Sequence, residues 1–260
     1  MTRAGERLGA VVRRRLDPAE RFGLRLSMAA VAFLLVAIPF SFLLLAVRRS
    51  GPLVEVDRAV ADGLHDAVRG EDVVLLVLEL VSAIGTFFGL GTLVCISAVV
   101  LYRAGRRRLL VFVLVTTVGG WLLNNAVKLA VGRQRPSFPD PYATAHGLSF
   151  PSGHAMSSTV VLGTLLLVFL PAVRPRRRLP AALATVGLVL LIGFTRLALG
   201  VHYLTDVVAG FVLGAAWLSA CVASFSVWRV ERGRAPVAPL TGLEPESGAP
   251  VRAAVDPRGG

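Results

Sequence analysis

Along most of the chain, long apolar runs alternate with short polar connectors. A helix crossing a hydrocarbon layer needs about 20 apolar residues, and that ruler predicts six spans: Ser27 to Val47, Val73 to Tyr102, Leu109 to Val131, Ala155 to Leu170, Ala181 to Leu199 and Tyr203 to Trp228. After the first, "VDRAVADGLHDAVRG" reads as an amphipathic helix lying at the interface. The second is overlong and carries Glu79, so its first turns are tilted, kinked near Gly85, or outside the lipid. The fourth is short, and Pro171 bounds it. From Gly233 onward, Pro, Gly and Ala without an apolar period predict a disordered tail. No internal repeat stands out. The expected fold is all-α, a six-transmembrane helix bundle over 27–230 between a basic leader, 1–26, and the tail, 231–260.

Composition agrees: 55% hydrophobic and 17% charged residues are too apolar for a soluble domain of this length. The formal charge of +12 raises nucleic acid as a partner, but the arginines sit in short clusters between apolar runs, the pattern of cytoplasmic membrane loops. "VVRRRL", "RAGRRR", "RPRRR" and "WRVERGR" all fall on one side if there are six spans, which places both termini in the cytoplasm. The loops Gly51 to Asp72, Gly132 to Gly153 and Gly200 to His202 then face outward. The first apolar run exceeds a signal peptide's apolar region and leads into further spans, so it is expected to remain in the mature protein. Cys95 and Cys221 lie inside apolar runs as small hydrophobes and say nothing of redox compartment.

With the spans set, the unusual polar residues gather at one outer face. Lys128 lies about a turn from the end of the third span, Arg133 and Arg135 follow it, and His154 opens the fourth. Arg196 is about a turn from the end of the fifth span, while His202 and Asp206 begin the sixth. One lysine or arginine near a helix end can simply snorkel, and one histidine can be a satisfied core residue. Seven such residues at one end of four helices are not explained that way.

Their chemistry is that of a phosphate site. Lys128, Arg135 and Arg196 supply positive charge, two of them as planar forks suited to phosphoryl oxygens. Ser152 and Gly153, in "PSGH", precede a helix, where a hydroxyl and free backbone N–H groups stand at the positive end of its dipole. His202 and Asp206 are spaced i, i+4, so the carboxylate can sit one turn from the ring and fix its tautomer. One histidine with an orienting acid and one without suggests a nucleophile and a general acid. No acidic cluster has metal-ligand spacing, so neither metal nor cofactor is expected. Arg133, Asp140 and His146 read as solvated loop residues, Asn124 as a support for Lys128 from one turn before it, and Gly210 with Gly214 as helix packing.

"KLAVGRQRP" (128–136), "PSGH" (151–154) and "TRLALGVHYLTD" (195–206) together resemble the three signature motifs of the type 2 phosphatidic acid phosphatase superfamily, whose relatives include vanadium-dependent haloperoxidases. Spacing and order agree; the one departure is Thr195, where the family usually has serine, and a hydroxyl is kept. The resemblance implies His202 as the nucleophile toward phosphorus, Asp206 as its orienting group, and His154 as acid to the leaving oxygen and then base to water. It also implies Lys128, Arg135, Ser152, Gly153 and Arg196 as ligands of the phosphoryl oxygens.

Three functions compete. A lipid phosphatase would act on an outer-leaflet head group such as a polyprenyl diphosphate, phosphatidic acid or phosphatidylglycerol phosphate. A lipid transporter would want charge at the midplane, where only Glu79 is a candidate. A vanadate-dependent peroxidase would use the same cradle, but its relatives are soluble. Vanadate is expected to inhibit the phosphatase as a phosphate mimic.

Overall fold

The computed structural model of the protein describes residues 51–231, with side chains of the last helix to Ser226, together with Ser41, Leu45, Gly242 and Leu243. The helices in order are α1 Pro52–Ala67, α2 Asp72–Ile84, α3 Phe87–Arg103, α4 Arg107–Val131, α5 Gly153–Phe169, a 3-10 turn Leu170–Ala172, α6 Pro175–Ala198 and α7 Leu204–Glu231. No strand lies between residues 51 and 231.

Four of these, α4, α5 with its 3-10 turn, α6 and α7, are long and apolar enough to cross a membrane, and the bent pair α2–α3 makes a fifth. That pair is the overlong second run, and it breaks between Gly85 and Thr86 with a 42° bend. Thr86 makes the break tolerable: its hydroxyl accepts from Gly89 N at 3.1 Å, which caps α3, and donates to Ala83 O at 2.7 Å. The predicted span 27–47 lies outside the described residues. α6 starts at Pro175, earlier than the apolar ruler suggested, because proline's fixed φ suits a first helical position while the arginines behind it do not count as apolar.

α5 is the centre of the bundle. It packs against α3, α4, α6 and α7, and half of its apolar window is buried, against 22–33% for the other spans. A short helix suffices there because neighbours surround it. Its closest approach is to α7: a Cβ at Gly210 would lie 2.7 Å from Ser152 O, and one at Gly214 would lie 2.9 Å from Met156 O. Only glycine lets these backbones meet, so the pair is a packing device as expected.

Two details go beyond the sequence expectations. The amphipathic helix forms as α1, but its inner face includes an acid and a histidine: Asp57 and His65 are buried beside Ala61 and Val68. The stretch read as a disordered tail contains Leu243, which is fully buried among Leu101, Leu109, Phe112, Val113 and Val168 and donates its N–H to Leu167 O at 3.1 Å. Average composition hides a single apolar anchor of this kind.

Candidate active site

Up-and-down topology brings the C-terminal ends of α4 and α6 and the N-terminal ends of α5 and α7 to one end of the bundle. All eight residues expected in the site lie there. The loops that carry them are tied by main-chain bonds: Ser149 N donates to Arg133 O at 2.8 Å, and Ser152 N donates to Asp206 O at 2.9 Å. The three sequence motifs are thereby held in one layer.

His202 stands between a base-side and an acid-side partner. Its Nδ1 faces Asp206 Oδ2 at 3.3 Å, and its Nε2 is 3.0 Å from Arg135 Nη1. A guanidinium can only donate, so Nε2 is the acceptor and the ring proton sits on Nδ1, facing the carboxylate. The nitrogen turned toward the cations therefore carries a lone pair. Burial pushes the His202 pKa down to about 4; Asp206 opposes the shift, and the charges of Arg135 and Lys128 add to it. The ring is neutral near pH 7.

Asp206 is fully buried and richly bonded. Its Oδ2 accepts from His202, from Tyr203 N at 2.9 Å and from Ser149 Oγ, and its Oδ1 accepts from Arg133 Nη1 at 2.6 Å. Arg135 is anchored by Val201 O at 2.8 Å and Gly147 O at 3.0 Å. Burial lowers its pKa while Asp206 raises it, with a net lowering from a value so high that it stays charged.

The remaining expected residues surround His202. Lys128 Nζ donates to Leu148 O at 2.8 Å, and its Cε is 3.9 Å from where a Cβ on Gly153 would be. Ser152 caps α5, its hydroxyl accepting from Ala155 N at 3.5 Å. Arg196 donates through Nη1 to Ser82 Oγ of α2, while its Nε is buried without a partner. His154 Nε2 is likewise buried and unpartnered, and the ring lies within electrostatic reach of Arg196, His202, Arg135 and Lys128. Among the described residues no group of three or more His, Cys, Asp or Glu could hold a metal ion.

Arg133 is the main residue the sequence reading misplaced. It is not solvated: Nη2 meets Asp57 Oδ2 at 2.7 Å, Nη1 meets Asp206 Oδ1 at 2.6 Å and Thr205 Oγ1 at 2.8 Å, and the guanidinium lies 4.2 Å over the Tyr203 ring. Burial works against its charge, yet Asp206 and Asp57 outweigh that and raise its pKa. The legible clue was Asp57, an acid on the stripe Asp57, Ala61, Leu64, His65, Val68 that α1 turns to the protein. Asn124 is also reassigned: its amide donates to Met156 Sδ at 3.3 Å, while Lys128 Nζ donates to Leu148 O and Ser149 O rather than to Asn124. Asp140 and His146 are exposed, as expected.

Comparisons with known proteins identify the family and the fold. Residues 108–229 match the PAP2 superfamily model, a segment that contains every expected site residue. The decaprenylphosphoryl-5-phosphoribose phosphatase of Mycolicibacterium smegmatis is 34% identical over 166 residues, which are 56% of this chain and 84% of that protein. Phosphatidylglycerophosphatase B of Bacillus subtilis is 38% identical over 96 residues, 36% of this chain and 46% of that one. A lipid A 1-phosphatase of Rhizobium johnstonii is 34% identical over 113 residues, 40% of this chain and 42% of the relative. The chain thus spans less than half the length of the latter two. Its fold resembles the crystal structure of a transmembrane PAP2 type phosphatidylglycerolphosphate phosphatase from Bacillus subtilis, with a TM-score of 0.65 at 24% identity over 72% of this chain and 92% of that one. The chain belongs to the PAP2 superfamily.

Proposed function

We propose that the protein is a membrane lipid phosphatase that works through a phosphohistidine on His202. The observation that carries this reading is the His202 ring itself, with Nδ1–H turned to Asp206 and the Nε2 lone pair turned into a cluster of cations. Nε2 attacks phosphorus as Arg135 transfers its donors from the histidine to the phosphoryl oxygens. The P–O bond to the lipid breaks, and His154 delivers a proton to the departing oxygen. Water then attacks the phosphohistidine, His154 takes its proton, and the P–N bond breaks to free inorganic phosphate and restore His202. Lys128, Arg135, Arg196, Ser152 and the N–H groups at the start of α5 stabilise the charge on the oxygens in flight. The unpartnered His154 Nε2 and Arg196 Nε support this, since a phosphoryl group lying among the cations would satisfy both.

The substrate belongs among lipids with a terminal phosphate or diphosphate: polyprenyl diphosphates, phosphatidic acid or phosphatidylglycerol phosphate. The relatives are named as phosphatases of phosphatidylglycerophosphate, lipid A and decaprenylphosphoryl-5-phosphoribose, which supports the class without choosing within it. The arginine-rich connectors support a six-span topology with cytoplasmic termini and an extracytoplasmic site. Detergent-purified protein should release phosphate from at least one of these lipids without added metal. Lipid movement, or peroxidation with bound vanadate, in the absence of phosphate release would replace this reading with its transporter or peroxidase alternative.

A further inference from the structure

The break in the second span does more than bend a helix. The last turn of α2 faces α6 and the start of α5, and it meets the two site residues that have unpartnered buried nitrogens. Ser82, buried on α2, accepts from Arg196 Nη1. Gly85, at the break, comes so close that a Cβ there would lie 2.9 Å from His154 Cδ2 and 2.5 Å from Ile192 Cγ2. Ile192 is fully buried one turn before Arg196, so it has little room to yield. Thr86 secures the break with its own capping bonds, so the close approach is held by built contacts.

We infer that Gly85 and Ser82 are positioning residues for the phosphatase reaction proposed above, Gly85 acting through the His154 ring and Ser82 through the Arg196 guanidinium. The two act on different parts of the chemistry. His154 is the acid for the leaving oxygen, so Gly85 governs departure of the lipid. Arg196 binds phosphoryl oxygens, so Ser82 governs affinity for the phosphoryl group whatever its leaving group. A methyl at position 85 clashes with Ile192 Cγ2 at 2.5 Å and with His154 Cδ2 at 2.9 Å, so both must give, and because Ile192 sits in a closed core the imidazole is displaced with it. Misplacement of a reacting group by about 1 Å can cost on the order of 100-fold.

The test compares Gly85→Ala, Ser82→Ala and His154→Ala with the wild-type protein in detergent, on a lipid alkyl phosphate and on an aryl phosphate whose phenol leaves without a proton. Gly85→Ala should resemble His154→Ala, losing at least about tenfold more kcat on the alkyl substrate than on the aryl one. Ser82→Ala should lose equally on both and bind vanadate about tenfold more weakly, with Ser82→Thr restoring part of the loss because it keeps a hydroxyl. A Gly85→Ala variant that folds and loses the same factor on both substrates, or none, overturns the proposal. Should that variant not fold, Ser82→Ala decides, and unchanged vanadate inhibition overturns it. A wild-type protein inert toward both substrates overturns the phosphatase reading and this proposal together, whereas an active one with unaffected variants overturns the proposal alone.

Discussion

Arg133 donates to Asp206 at 2.6 Å, with the arginine side chain 11% exposed and the carboxylate not exposed at all. The same guanidinium holds Asp57, so one cation balances two buried acids contributed by helices at opposite ends of the described chain. Removing it leaves both carboxylates without their charge partner. Breaking a buried pair in this way typically costs about 3–5 kcal/mol. Arg133→Ala should therefore lower the melting temperature in detergent by several degrees and reduce turnover. Adding Asp57→Asn removes one of the two orphaned charges, so the double variant should melt above Arg133→Ala alone. Equal or additive losses in that cycle would mean that Arg133 and Asp57 do not act as a unit.

The two imidazole contacts of His202 lead to a graded prediction. If His202 is the nucleophile as proposed, His202→Ala should bring phosphate release to background, with no acid-labile phosphoenzyme to trap. Asp206→Asn keeps the shape but presents an amide to Nδ1, so the ring loses its fixed tautomer; comparable changes elsewhere cost about 10⁴-fold. Some phosphoenzyme should still form in Asp206→Asn. Residual rates well above background in His202→Ala would remove His202 from the nucleophile's role.

The site was largely legible because its residues recur at fixed spacings within short motifs, and motif chemistry survives without coordinates. Lys128, Arg135, His154, Arg196, His202 and Asp206 all fall where helix ends place them. Long-range partners were not legible. Thr205 and Asp57 bond to each other across 148 positions, and nothing local in the sequence pairs them. Ser149 looked like one more loop serine, yet it is fully buried and donates to Asp206. The bend at Gly85 could be anticipated from the length of its apolar run, but its contact with His154 depends on how α2 packs on α5 and α6. The buried Leu243 escaped for the opposite reason, being one anchor in a stretch rich in Pro, Gly and Ala with no apolar period.

The lowered pKa of His202 sets a pH expectation. Its folded value is about 4, below the ordinary 6.5, chiefly through burial, with Asp206 opposing and Arg135 and Lys128 adding to the shift. The neutral form, which attacks in the proposed mechanism, is therefore present above about 4 and is lost as pH falls through that value. For an aryl phosphate, once the substrate's own second ionisation is divided out of kcat/KM, His202 should cause no loss between pH 7 and 5. The variant Lys128→Met removes one of the charges that favour the neutral ring, so any acid limb from His202 should move upward in it. A wild-type limb near 6.5 that does not move in this variant would mean that the ring is solvated and its cation neighbours do not act on it.

Sidedness can be tested at positions the structure shows to be reachable. Ser149 is unsuitable despite its place in the outer loop, because it is buried against Asp206. His146, exposed in the same loop, is a better site. On the opposite side Gly105 has a φ of +68°, which a cysteine would adopt only with strain, so exposed Ala104 is preferred. In a background with Cys95 and Cys221 replaced by alanine, His146→Cys should react with an impermeant thiol reagent in intact cells, and Ala104→Cys only after the membrane is opened. The physical basis is the bias of arginine-rich short loops toward the cytoplasm, set here by "RAGRRR" directly at Ala104. The opposite labelling would place the phosphate site inside the cell, where its substrates would have to be inner-leaflet lipids and the arginine clusters would need another explanation.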